Sequence, residues 1–175
     1  MAGGFVSYSI DNDKRFQRAL NKSARLLNTL KVPLKLISAD FYKSERAIFN
    51  LGSAGAYPDF KNEDSRESKE RAVGFTYPLL VRTGALMRSV TNPKDTKAVN
   101  IIGNFSIEIG TKVESSKGYP YAAVHQFGSK NTKMRKFLFI GPESTFATSE
   151  QKGRLNRWTK ILETYVSKKL RQGLA

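Results

Sequence analysis

The chain contains no cysteine and a single histidine, His125. The first absence removes disulfides and thiolate chemistry, and it is compatible with a reducing compartment. Together the two exclude zinc sites built from Cys and His, which need several such ligands. No run of about 18 apolar residues exists, so no membrane span is expected. The N-terminus, Met1-Ala-Gly-Gly-Phe-Val-Ser-Tyr8, lacks the charged start and long apolar core of a signal peptide, which leads to the expectation of a soluble cytosolic product. Glycine-rich phosphate loops of the P-loop or dinucleotide kind are missing. Asp and Glu are too scattered to name a magnesium cluster, and calcium-loop spacing is absent. No cofactor and no metal are therefore expected, and no active site stands out.

Acidic residues are also scarce, at 15 against 30 Lys and Arg, for a net charge of +15 in 175 residues. Such an excess points to an anionic partner, nucleic acid first, or to a solvated basic surface. The cations are spread along the chain with some concentration from Lys112 onward. No long Lys/Arg tail occurs, so an arm that folds onto nucleic acid is not expected.

Apolar residues make up 39% of the chain and are clustered, which argues for folding. Residues 1–10 suit a short strand or an arm. Asp11-Asn-Asp13 offers N-cap oxygens to a first amphipathic helix carrying Phe16, Leu20, Ala24, Leu27 and Leu30. Pro33 suits the first turn of a second helix, running to about Asn50 with Leu34, Ile37, Phe41, Ala47 and Ile48 inward. The two helices form either a hairpin or one kinked rod. In the charged stretch 56–73, Glu63, Glu67 and Arg71 have i,i+4 spacing, which allows a short exposed helix or a mobile loop. Thr83 can cap a short helix with Leu86, Met87 and Val90. Segments 99–103 and 105–109 read as an antiparallel hairpin turning at Gly103-Asn104, with Phe105, Ile107 and Ile109 on one buried face. The last element is a strongly amphipathic helix. Leu155, Trp158, Ile161, Leu162, Tyr165, Val166 and Leu170 form its inward stripe, and Arg154 and Arg157 are among its outward cations. Gly153 marks its start or a bend.

The most informative stretch runs from Tyr119 to Pro142. Tyr119, Tyr121, Val124 and Phe127 predict a short helix with one apolar side, stopped by Gly128. A basic loop with Lys130, Lys133, Arg135 and Lys136 follows, then the buried strand Phe137-Leu-Phe-Ile140, closed by Gly141-Pro142. The loop cations suit either solvent or phosphate, which needs charge but no base-edge geometry. His125 lacks a visible nucleophile and orienting partner, so its expected task is structural. That task is a hydrogen bond between the helix turn and a neighbouring strand or subunit, with Gln126 doing similar work.

The residues Tyr121, Ala122, His125, Gln126, Phe127, Gly128, Arg135, Phe137, Leu138 and Gly141 form a pattern that resembles the tailed-phage virion-morphogenesis family. These are small tail-completion or neck proteins of the head–tail junction. The earlier segment Leu80-Val-Arg-Thr83-Gly84-Ala-Leu86-Met-Arg-Ser89 is similar to that family's Thr-Gly-x-Leu-x-x-Ser segment, in the same order along the chain. The family often has a proline in the gap before Arg-x-Phe-Leu, where Lys133-Met134 stand here. The resemblance covers roughly residues 77–142.

The resemblance implies a non-enzymatic structural protein of the virion neck or tail end, assembled in the host cytoplasm. It implies a homo-oligomeric ring, a hexamer or a dodecamer, around the DNA channel, touching neighbouring connector, neck and tail proteins. Packaged double-stranded DNA would be met electrostatically, with Lys130, Lys133, Arg135 and Lys136 as the DNA-facing candidates. Thr83, Gly84, Tyr121, His125, Gln126, Gly128, Phe137 and Gly141 would be the structural motif residues. The alternative is a free, basic, non-enzymatic nucleic-acid-binding protein. It explains the charge equally well and leaves the two segments unexplained. The expected fold is α+β, with helices packed on a small, mainly antiparallel sheet and long amphipathic helices at the ends. One domain over residues 1–175 is expected, with mobile loops near 53–74 and 111–118.

Overall fold

The computed structural model describes residues 27–50, 59–130, 132–135, 137–138 and 149–174, with positions 18, 21, 22 and 25. The expected strand or arm at 1–10, most of the first helix, Lys136, the strand end at 139–140 and Gly141 lie outside the described residues.

The element that touches most others is α1, Lys31–Asn50. Pro33 sits in its first turn, where its missing N–H has no helical acceptor to lose. Leu34, Ile37, Phe41 and Ile48 are buried as the spacing predicts, and so are Tyr42, Phe49, Ser38, Ser44 and Glu45. That stripe is wider than one packed face requires. The reason is that α1 lies between a hairpin and helix on one side and the last long helix on the other.

The hairpin consists of β1 (Ala98–Ile102) and β2 (Ile107–Thr111), antiparallel, with Ala98 opposite Thr111 and Ile102 opposite Ile107. Its turn spans 103–106 and closes through the Gly103 N–H to the Ser106 carbonyl at 2.9 Å. The expected turn at Gly103-Asn104 is thus corrected, and Phe105 stands in the turn, 62% exposed, rather than on the buried face. Alternation alone cannot place the turn, because ending a strand two residues earlier leaves every side chain on its own face. Three polar contacts seat the hairpin on the helices. Ser38 Oγ donates to Asn100 Oδ1 at 2.9 Å, Tyr42 OH donates to the Val99 carbonyl at 3.3 Å, and Ser89 Oγ shares a hydrogen with Thr111 Oγ1 at 2.7 Å.

Residues 63–73, for which the spacing allowed a helix or a loop, form the helix α2 (Glu63–Val73). Asn62 Oδ1 caps it through the Ser65 N–H, and Gly74 ends it at φ +77°. It buries no residue fully, and its Arg66–Glu63 and Arg71–Glu67 pairs are exposed. The helix α3 (Ala85–Thr91) presents Leu86, Ser89 and Val90 to the core. That core is built from Ile48 and Phe49 of α1, Leu79 and Leu80, Leu86 and Val90, Ala122 and Phe137. The fold is therefore α+β, with helices packed on a small antiparallel sheet. Among the described residues no helix is long and apolar enough to cross a membrane.

The short helix α4 (Tyr121–Phe127) precedes the last element, α5 (Ser149–Leu174). The α5 helix starts upstream of Gly153, which lies inside it. Its inward stripe differs from the expected one. Arg154 is 0% exposed, while Leu155 and Leu170 face outward. Arg154 donates to Glu45 Oε1 and, at 2.9 and 3.2 Å, to Ser44 Oγ, with its guanidinium 4.9 Å from the Phe41 ring centre. Three and four residues on, Arg157 Nε and Trp158 Nε1 both donate to the Asp40 carboxylate, at 3.0 and 2.8 Å. A polar ladder thus joins α5 to α1 where an apolar stripe was expected. Arg154 was misplaced because its buried acid, Glu45, is remote in sequence.

The ion pair sets the first prediction. Glu45 is also fully buried, so removing either partner strands the other charge without water. Glu45→Ala or Arg154→Ala should each cost about 3–5 kcal/mol in urea denaturation. Replacing both with apolar residues of similar volume should cost less than either single change. Equal and additive losses would show that the two charges are not coupled.

Candidate functional site

The α4 helix is short because its ends are both set by the backbone. Pro120 precedes it, and the Gly128 N–H closes it onto the Val124 carbonyl at 2.7 Å. Gly128 then leaves at φ +79°, ψ 173°, a region open essentially to glycine alone. A Cβ there would sit 3.3 Å from Met134 Cβ. The chain turns back through a bridge between Ser129 and Thr132 and runs beside α4. Two bonds latch it: the Arg135 N–H to the His125 carbonyl at 2.6 Å, and the Leu138 N–H to Gln126 Oε1 at 3.0 Å. The latch delivers Phe137 to the core, but residues 137–138, the described part of the expected strand, form a bend instead. Helix turn, cationic loop and returning segment thus form the one unit that the sequence pattern describes.

The apolar side of α4 is not the expected one. Ala122 is buried and Tyr121 and Val124 are half-buried, but Phe127 is 76% exposed and Tyr119 is also exposed. Phe127 follows His125 by two positions, roughly 200° round the helix, and so points away from the packed side. The imidazole of His125 does not make the expected link either. His125 Nδ1 is buried without a hydrogen-bond partner among the described residues, and the returning segment is held by the His125 backbone carbonyl and by Gln126. Burial, helped by the positive charge of Arg135, lowers the His125 pKa to about 4, so the ring is neutral at neutral pH.

Tyr121 and His125 line a cleft of about 800 Å³ together with Thr83 and Gly84. The two segments of the sequence pattern therefore meet at one place. Gly84, at φ +74°, holds the cap position of α3, so Thr83 is one residue ahead of its expected capping role. Its hydroxyl accepts weakly from the Ala85 N–H at 3.4 Å, and its carbonyl accepts from Arg88 Nη1 at 3.2 Å.

Sequence reasoning missed Lys69 of α2, which also lines the cleft. Its ammonium donates to the carbonyls of Thr76 at 2.8 Å, Leu79 at 3.3 Å and Pro78, and it stands 5.2 Å from the Phe75 ring centre. Burial, and then Arg135, lower its pKa to about 8. Its neighbours in sequence are charged and polar, so no local signal distinguishes it from a solvated lysine.

The four expected DNA-facing cations separate. Lys130 and Lys133 are exposed, Lys133 Nζ reaching the Phe60 carbonyl at 3.3 Å. Arg135 is corrected, being only 7% exposed. Its guanidinium donates to the Asp59 carbonyl at 3.3 Å and lies over the Phe60 ring. Asp59 itself accepts from Tyr77 OH at 2.8 Å and Arg66 Nη2 at 3.1 Å. Arg135 turns inward because the latch to α4 fixes its backbone beside this pocket. Lys136 and Gly141 lie outside the described residues. Among the described residues no three His, Asp or Glu side chains gather as a metal site needs. No family model, no curated protein and no solved structure matches the chain.

The neutral, buried His125 predicts a pH dependence. Its folded pKa lies below its ordinary 6.5, so its contribution to stability is complete above 6.5 and is lost as pH falls through about 4. Burial drives Glu45 the other way, up to about 7 against the pull of Arg154, so its contribution is lost as pH rises through that value. The two oppose each other in overlapping windows, and wild type must be measured against His125→Gln. The stability advantage of wild type should shrink by on the order of 2–3 kcal/mol as pH falls from 6.5 to 4. Parallel curves would mean that His125 ionises as freely folded as unfolded.

Proposed function

We propose that the protein is a structural component of the phage head–tail junction, a tail-completion or neck protein that works without turnover. The observation that carries this reading is the meeting of its two resembling segments. Thr83 and Gly84 come from one, Tyr121 and His125 from the other, and all four line one cleft. A pattern whose halves converge in space is better explained as one structural motif than as two coincidences of spacing. The residues of that motif act on backbone geometry, as Gly84 and Gly128 do through positive φ and Gln126 through the latch.

In this reading identical copies, six or twelve, close a ring around the DNA channel through a heterologous interface. The ring contacts connector and tail proteins in the virion neck after assembly in the host cytoplasm. The net charge of +15 faces packaged DNA without reading its sequence. The charge alone favours a second reading, a free nucleic-acid-binding protein, which has no use for the converging segments.

Imaging of assembled particles tests the ring. Several copies in a closed ring at the neck are expected, and a single asymmetric copy per junction would contradict it. The DNA contact has its own expected outcome. Each neutralised phosphate contributes about −0.9 to the slope of log K against log salt on duplex DNA. Lys130→Gln with Lys133→Gln should flatten that slope by roughly 2 units for every sequence alike. Arg135→Gln should instead lower stability, because the guanidinium is packed inside. An unchanged slope with failed joining would assign the two lysines to an acidic protein neighbour.

A further inference from the structure

The cleft has a chemistry that a purely structural motif does not use. Leu79, Leu80 and Leu86 give it an apolar lining, and Arg82, Lys69 and Glu114 bring its formal charges, two positive and one negative. Arg82 is exposed and makes no hydrogen bond or ion pair among the described residues. Burial raises the pKa of the Tyr121 phenol, and the nearby charge of Arg88 works against that rise. Behind the cleft, the charge of Arg135 works against protonation of both Lys69 and His125. Lys69 spends its N–H donors on three carbonyls and so offers field rather than contact. The site is thus a concave, leucine-lined space under a positive field, with a guanidinium and the Thr83 hydroxyl at hand.

We infer that this cleft docks an acidic, leucine-bearing peptide segment of a partner protein, with Arg82 pairing its carboxylate and the leucine floor taking its apolar side chain. The guanidinium fork matches a carboxylate bidentately. Recognition of acidic motifs by arginine in a groove is an established mode of peptide binding. Duplex DNA is the poorer occupant, because its phosphates lie on a convex surface and make no use of an apolar floor. A second copy of this chain is also a poor match, since its acid-rich helix α2 carries Arg66 and Lys69 among its acids and no leucine. The inference rests on the cleft and stands whether or not the chain forms a neck ring.

The test uses the full chain and a fluorescent, end-blocked Leu-Glu-Glu-Leu-Glu-Glu peptide, read by anisotropy. His125, the single histidine, is a built-in NMR reporter on the cleft wall. Saturable binding that moves the His125 ring signals is expected. Losing one charged hydrogen bond corresponds to about tenfold in Kd, so Arg82→Gln should weaken binding by about that factor and Arg82→Glu by more. Lys94→Gln with Lys97→Gln, on exposed loop positions that do not line the cleft, should change Kd by less than about twofold. Three results would each overturn the inference: no saturable binding, still His125 signals, or equal losses from the Arg82 and loop variants. So would displacement of the peptide by duplex DNA or oligo-dT that itself moves the His125 signals, which would give the cleft to nucleic acid.

Discussion

A carboxylate with no exposure cannot be left alone, and Glu45 is such a carboxylate. Its burial in the middle of α1 obliges a cation to come to it, and Arg154 of α5 does so. That one pairing sets the rotation of α5. With Arg154 inward, Arg157 and Trp158 one turn later fall opposite Asp40. Ile161, Leu162, Tyr165 and Val166 then continue the half-buried side, and Leu155 is turned out. One oxygen of Glu45 and one nitrogen of Arg154 remain without partners among the described residues. The pair therefore adds more to the register of two helices than to net stability.

With α5 held on one side of α1, the hairpin, α3 and the Leu79–Leu80 turn occupy the other. The α4 unit is added to this second layer by Ala122 and Phe137, and Phe137 arrives only because the chain after Gly128 doubles back. Two bonds to α4 do this, one from backbone to backbone and one through Gln126. The cleft is the space left between that latched unit and the start of α3. Residues Glu114, Ser115 and Ser116 of the segment after β2 complete its wall.

Positive charge is distributed in two ways in this molecule. Lys130 and Lys133 stand out on a tight turn, available to whatever approaches. Arg135, only two residues further, and Lys69 are drawn inward to carbonyls and aromatic rings. There burial first, and the charge of Arg135 second, lower the proton affinity of Lys69 and of His125. The formal excess is therefore divided between cations that can meet a phosphate and cations that only bias the interior. Position in sequence does not separate the two kinds, since Lys133 and Arg135 lie two residues apart.

Periodicity by itself determined the α+β class, the α1 stripe at Leu34, Ile37, Phe41 and Ile48, and the short α3 and α4 helices. Gly128 announced its turn, because positive φ is a local cost that only glycine avoids. These features depend on residues a few positions apart, and so a single sequence carries them. The tertiary structure alone decided the rest. It turned Arg154 inward, made Lys69 a wall of the cleft, withdrew Arg135 from the surface and left Phe105 and Phe127 outside. It also brought Thr83 and Gly84 to Tyr121 and His125. In each case the deciding partner lies on another element, Glu45 for Arg154 and the 76–79 carbonyls for Lys69. The free energy of a charge depends on what surrounds it in space, and no spacing along the chain encodes that.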